Sequence, residues 1–190
     1  MLPDLPPPTI FEQPLPYEER LDTRPPAAIE GVVIHCTETP DLASARDFGE
    51  RVLYASGTGN SGHYYIDRDG RVLRYVGHGR VAHHVRGYNP QTIGIELVNT
   101  GRWPRWYDSD HQGMHEPYPE AQIAALIVLL KQLREELPNL AWIAGHEDLD
   151  TEWVPANDAP HQRIRRKRDP GPLFPWPRVL EAVQLERLGG

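Results

Sequence analysis

Short runs of β-branched residues alternate with stretches of helical period along this 190-residue chain, which restricts it to a layered α/β fold. The run "GVVIHCTE" at 31–38 predicts a buried strand, and "TIGIELVN" at 92–99 predicts another. Between them, segments 63–67 and 71–76 predict a hairpin turning through Asp69-Gly70, the favoured dipeptide for such a turn. A last strand is expected at 140–144. Helical spacing marks three segments. Leu42, Ala45, Val52 and Ala55 share one face of a helix at 41–55. Pro119 opens a long helix carrying Ile123, Leu126, Ile127, Leu130 and Leu133, and 177–188 predicts an amphipathic helix near the end of the chain. The expected class is α/β, with a mixed central β-sheet flanked by helices.

Residues 1–28 are rich in proline and predict an extended N-terminal arm, leaving 29–190 as a single domain. Segments 101–118 and 146–175 lack periodicity and read as loop. The formal net charge is −7, so the basic run "RIRRKR" at 163–168 is local and a nucleic-acid partner is not expected. Cys36 is the sole cysteine, which rules out an intramolecular disulfide and suits a reducing compartment. The first residues lack the basic start and apolar core of a secretory signal. The longest apolar run, 121–130, is broken by Gln122 and too short to span a bilayer. A cytoplasmic monomer without membrane insertion is expected; periplasmic or phage-lysin use stays open if a leader was trimmed.

Among nine histidines, His111 and His115 are four apart, but Gly113 lies between them and no glutamate follows the first, so they read as loop histidines. His35 stands at the end of an apolar strand, where site residues emerge from a scaffold. Alternation puts His35 and Thr37 on one face and Cys36 on the other, which makes Cys36 a small core residue. His146 likewise follows the strand "LAWIAG", and Asp169 in "RKRDPGP" offers an oxygen. Two imidazoles and one carboxylate form a recognised catalytic zinc set. In "TIGIELV" the face of Ile93, Ile95 and Leu97 is apolar, so Glu96 lies on the other face, which Gly94 keeps open.

Five segments, "VVIHCTE", "SGHYYIDRDG", "IGIELVNTG", "AGHEDL" and "RKRDPGP", resemble in this order the zinc N-acetylmuramoyl-L-alanine amidases of the type 2 amidase and peptidoglycan-recognition superfamily. The resemblance runs from about Gly31 to Trp176 and implies the fold of that superfamily. It implies Zn2+ held by His35, His146 and Asp169. Phage-lysozyme-like members and many animal recognition proteins carry Cys at the third position, so Asp169 resembles the bacterial branch that recycles or trims cell-wall fragments. The resemblance makes Glu96 the residue that helps activate water. Lys167, two residues from Asp169 in an extended segment, would then face the scissile carbonyl and stabilise its oxyanion.

Some phage relatives place a helpful tyrosine where this chain has Gly62, which shifts the burden to Glu96. His63 and His83 match positions lining the family's groove, although the "AWHAG"-like motif has Ala82 in place of Trp and His84-Val85 after His83. Arg86 and Asn89 are candidate binders of stem-peptide carboxylates. The implied activity is hydrolysis of the amide between N-acetylmuramic acid, or its 1,6-anhydro form, and L-alanine. A peptidoglycan-binding module without turnover and a zinc peptidase cutting within the stem peptide are the alternatives.

Overall fold

A computed structural model describes residues 9–189. Among these residues, nine strands and four α-helices follow one another in the order expected of an α/β chain. Seven strands form one sheet in the order β1-β4-β3-β5-β2-β6-β9. These are β1 (Ile10–Glu12), β2 (Gly31–Cys36), β3 (Tyr64–Ile66), β4 (Val72–Arg74), β5 (Thr92–Leu97), β6 (Trp142–Gly145) and β9 (Glu186–Arg187). The sheet is mixed: β3, β5, β2, β6 and β9 run parallel, while β4 pairs antiparallel with β3 and β1 runs with β4.

The two central strands, β2 and β5, show why near-continuous β-branched runs were needed. Both are covered on both faces, as strands in parallel sheets are. One face carries Val32, Ile34, Ile93, Ile95 and Leu97, packed under helices α2 (Glu120–Glu136) and α4 (Trp176–Val183). Ile123, Leu126, Leu129, Leu130 and Leu133 of α2 supply the covering stripe, each such side chain worth about 1.5–3 kcal/mol when fully buried. Gln122, which interrupts that apolar run, is wholly buried, and its amide donates to Ile66 O and Val98 O at 2.9 and 3.1 Å. The polar break in the sequence thus ties α2 to the ends of β3 and β5.

On the other face, α1 (Leu42–Glu50) and the segment after β1 cover the β3–β4 side of the sheet. Leu15, Tyr17, Leu21 and Ala45 pack there on Tyr65, Leu73 and Tyr75. Of the segment set apart as an arm, residues 1–8 lie outside the described residues. Residues 10–12 form an edge strand beside β4.

Some boundaries differ from the sequence expectation. Asp41 caps α1, accepting from Ser44 N–H at 2.7 Å, but the helix ends at Glu50 rather than near 55. Leu53 and Tyr54 donate instead to Thr58 O, and Val52 is left 59% exposed. The last helix stops at Val183 because Gln184 takes a left-handed conformation, and the chain continues into β9. The stretch read as irregular holds a one-turn helix α3 (His146–Leu149) and a hairpin of β7 (Trp153–Pro155) with β8 (Arg163–Arg165). Among the described residues, no helix is long and apolar enough to cross a membrane.

Candidate metal centre and cleft

The carboxyl ends of β5, β2 and β6 lie side by side, the position at which open α/β sheets present their ligand sites. His35 is the fifth residue of β2 and is in register with Glu96 of β5, so both side chains project from one face. His146 is the first residue after β6, where α3 begins. Asp169 arrives from the segment after β8 and is held by a hydrogen bond from Glu147 N–H to its carbonyl, 2.9 Å. All three are nearly inaccessible: His35 is 2% exposed, His146 3% and Asp169 3%.

Asp169 Oδ2 lies 3.0 Å from His35 Nδ1 and 3.1 Å from His146 Nδ1. The three candidate ligand atoms fall within 4.8 Å of one another. Zinc–ligand bonds near 2 Å in a tetrahedron place neighbouring ligand atoms roughly 3.3 Å apart, close to what is seen. Asp169 Oδ1 is also buried without a hydrogen-bond partner among the described residues, a state that costs free energy unless a cation or donor meets it. The donor set and its spacing therefore fit a metal ion.

Charge around the centre is unevenly compensated. Burial alone would raise the Asp169 carboxyl, but His146 and His35 hold it well below the usual carboxylate range. Burial lowers His146, opposed by Asp169. Glu96 Oε1 stands 4.0 Å from His35 Nδ1 with its side chain 15% exposed. Burial pushes its carboxyl up to about 7, with His35 and Lys167 pulling it down and Asp169 pushing it up.

These residues line a cleft of about 780 Å³, within the range of small-molecule sites. Phe48, Tyr54, Trp106 and Tyr107 give it aromatic surface, and Lys167 gives it positive charge. The basic run is now explained residue by residue. Arg165 donates to Glu147 O at 2.6 Å and lies over the Trp153 ring. Arg166 is paired with Asp150 and Glu152. Arg165 and Arg166 are thus ties within and beneath the β7–β8 hairpin, and Lys167 reaches the cleft without such a partner among the described residues.

The candidate substrate contacts separate. His83 lines the cleft, edge-on to Tyr54 at 5.2 Å between ring centroids. Arg86 stands at the rim, paired with Glu152 at 2.9 Å. Asn89 also borders the cleft, but its Oδ1 accepts from His84 N–H and Val85 N–H at 3.0 and 2.8 Å, so its side chain shapes the loop. His63 departs from the expectation. It is fully buried, outside the cleft lining, and its Nδ1 accepts from Gly94 N–H at 3.0 Å. It sits just before β3, and pairing of that strand with β5 turns its ring under His84.

Three features escaped the sequence reading. His84 touches His35, with His84 Nδ1 at 3.0 Å from His35 Nε2. Burial holds His84 well below its ordinary pKa, helped by His35, His63 and His146. The His83-His84 doublet was the available signal, since either residue could occupy the motif position. Glu38 and Arg102 form a buried pair at 2.7 Å, and Arg102 also donates to the carbonyls of Arg165 and Arg166. Trp106 donates to Glu38 O at 3.0 Å, fastening the 101–118 loop to the cleft.

The family model described as N-acetylmuramoyl-L-alanine amidase matches residues 24–172. The N-acetylmuramoyl-L-alanine amidase AmiD of Escherichia coli (strain K12) is 31% identical over 184 residues, covering 85% of this chain and 58% of that protein. The 1,6-anhydro-N-acetylmuramyl-L-alanine amidase AmpD of Salmonella typhimurium (strain SL1344) is 31% identical over 134 residues, covering 66% of this chain and 58% of that protein. The chain thus spans less than two thirds of the length of these curated relatives. Among solved structures, the endolysin amidase LysCS from Clostridium intestinale URNW superposes with a TM-score of 0.67 at 19% identity, covering 94% of this chain and 97% of that one. That likeness concerns the fold.

Proposed function

The chain belongs to the N-acetylmuramoyl-L-alanine amidase family, and from that membership and the cleft we propose that it hydrolyses the amide joining N-acetylmuramic acid, or its 1,6-anhydro form, to L-alanine. The observation that carries the reading is the convergence of His35 Nδ1 and His146 Nδ1 on Asp169 Oδ2, with Glu96 alongside, at the base of an aromatic, basic cleft. The names of the curated relatives, one an amidase of muramyl-L-alanine and one of its anhydro form, support the choice of bond.

We assign one Zn2+ to His35, His146 and Asp169. When bound there, zinc supplies Lewis acidity towards the carbonyl and makes water a better nucleophile near neutral pH. The chain's own groups then divide the remaining work. Glu96 takes the proton of the attacking water at its carboxylate and passes it to the departing L-alanyl amine. Its pKa of about 7 suits both acceptance and return. The Lys167 ammonium offers a fixed positive charge to the oxygen that becomes an oxyanion, a contribution usually worth several kcal/mol. Phe48, Tyr54, Trp106 and Tyr107 provide apolar surface for the sugar and exclude water, while His83 and Arg86 face the stem peptide at the rim. Residues 29–190 are taken as the catalytic domain and 1–28 as a proline-rich arm, whose Leu15, Tyr17 and Leu21 pack on the sheet. A monomer acting in the cytoplasm on soluble fragments is the setting we propose, and the single buried cysteine is compatible with it.

The test is digestion of a defined anhydro-muramyl peptide and of intact sacculi by the zinc-loaded protein, with product masses read by mass spectrometry. Release of the intact stem peptide from the muramyl group is expected. Fragments cut within the peptide would instead identify a peptidase, and binding without any product would identify a recognition module.

A further inference from the structure

His84 takes no part in the chemistry above, yet its ring joins His35 to the sheet. His84 Nε2 lies 3.2 Å from Thr92 Oγ1, and His84 Nδ1 lies 3.0 Å from His35 Nε2. Thr92 is wholly buried, and its hydroxyl donates to Tyr88 O at 2.8 Å. A threonine hydroxyl has one hydrogen, so towards His84 it can only accept. His84 must therefore carry its proton on Nε2. A His35 that ligates through Nδ1 keeps its hydrogen on Nε2, 3.0 Å from His84 Nδ1, which is therefore the bare, accepting nitrogen of His84. This hydrogen bond holds the hydrogen of His35 on Nε2 and leaves Nδ1 with a lone pair. Nδ1 is the atom facing Asp169 Oδ2 at 3.0 Å. Two electron-pair acceptors at that separation repel each other unless a cation lies between them.

We infer that the Tyr88 carbonyl, Thr92 and His84 form a relay that sets the tautomer of His35 and aims its Nδ1 lone pair at the metal. Thr92 and His84 are positioning residues in this scheme, which rests on the reading of His35 as a ligand. The surroundings are built to hold the relay. Asn89 Oδ1 anchors the His84 backbone. A Cβ on Gly94 would stand 2.6 Å from His84 Cγ, so only glycine lets the ring lie against β5. His146 differs: its Nε2 is buried with no partner among the described residues, so fixed tautomer selection falls on His35.

Removing the acceptor at position 92 should reverse the chain of donors. In Thr92→Val, His84 gains by moving its proton to Nδ1, His35 then accepts at Nε2, and its own Nδ1–H donates to Asp169. The ligand pair is thereby closed against the ion. Zinc dissociation constants, measured by chelator competition, should rise about 10–100-fold in Thr92→Val and stay near wild type in Thr92→Ser. Long-range 15N–1H NMR of the zinc-loaded wild type should show His84 protonated at Nε2 alone. A folded Thr92→Val protein binding zinc within about twofold of wild type, or an Nδ1–H tautomer of His84 in the wild type, would overturn the relay. Should Thr92→Val fail to fold, the wild-type tautomer decides by itself. His146→Ala separates the two levels of the account. Loss of zinc there with unchanged affinity in Thr92→Val rejects only the relay, whereas retained zinc in His146→Ala rejects the metal centre itself.

Discussion

Glu96 and Lys167 line the same cleft, and their proposed roles differ. Glu96 is enclosed, and burial brings its carboxyl up to about 7, where a carboxylate exchanges protons readily. Glu96→Gln should keep zinc bound while slowing turnover by about 100-fold or more; unchanged turnover at full metal occupancy would return it to an ordinary strand carboxylate. Lys167 acts through charge alone. Lys167→Ala should lower turnover on the order of 100-fold with little change in folding. Arg166→Ala, by contrast, should show first as lost stability, because Arg166 is paired with Asp150 and Glu152. Equal losses of turnover at constant stability in both variants would mean that the run works as a diffuse charged patch. The face on which His35 and Glu96 each stand could be read from strand alternation, whereas their register comes from the pairing of β2 with β5. His84 could not, because adjacent histidines offer two alignments and only the course of the 83–91 loop selects between them. His63 misled for a related reason: the sequence places it before a strand but says nothing of which layer its ring enters.

At the scale of elements, the site depends on how the segment after β8 is pinned. Arg102, 1% exposed, bridges Glu38 after β2 to the carbonyls of Arg165 and Arg166, immediately ahead of Lys167. Glu38 itself takes a positive φ of 49°, a conformation held by its surroundings. Arg102→Met leaves Glu38 buried without its counter-charge, and urea denaturation should show a loss of about 3–5 kcal/mol. A loss within about 0.5 kcal/mol would place the pair among ordinary surface contacts. None of this was visible in the 101–118 segment, whose Trp, Gly, Pro and His residues lack any period. Its order comes from side-chain bonds to distant backbone, as with Trp106 to Glu38 O. Strands β2 to β6 and the long helix were legible from their apolar pattern, whereas β1, β7, β8 and β9 fell in segments read as arm, loop or helix. Helix ends were less so: Val52 and Ala55 fit the apolar stripe of α1, yet the turn at 53–58 satisfies its backbone locally and leaves Val52 in solvent.

For the molecule as a whole, burial of histidines sets a limit on acid stability. Burial lowers His78 to about 4 and holds His63 and His84 well below their ordinary values. An unfolded histidine titrates near 6.5, so below that pH the unfolded chain binds more protons than the folded one. The contribution is complete above about pH 6.5 and is lost as pH falls towards 4. In zinc-free protein, the stability lost between pH 7.5 and 4.5 should shrink by about 2 kcal/mol in His78→Gln, allowing for partial solvent access at that site. An identical pH dependence in the two proteins would exclude His78 as a source.

The central claim is that one metal ion, held by three residues from separate parts of the chain, makes the cleft an amidase. Metal-free protein titrated with zinc, with stem-peptide release from a defined anhydro-muramyl peptide as readout, tests it most directly. The expected result is activity rising linearly and breaking at about one equivalent, with no rise at all in Asp169→Ala. Full activity before any zinc is added, or the same titration curve in Asp169→Ala, would contradict it.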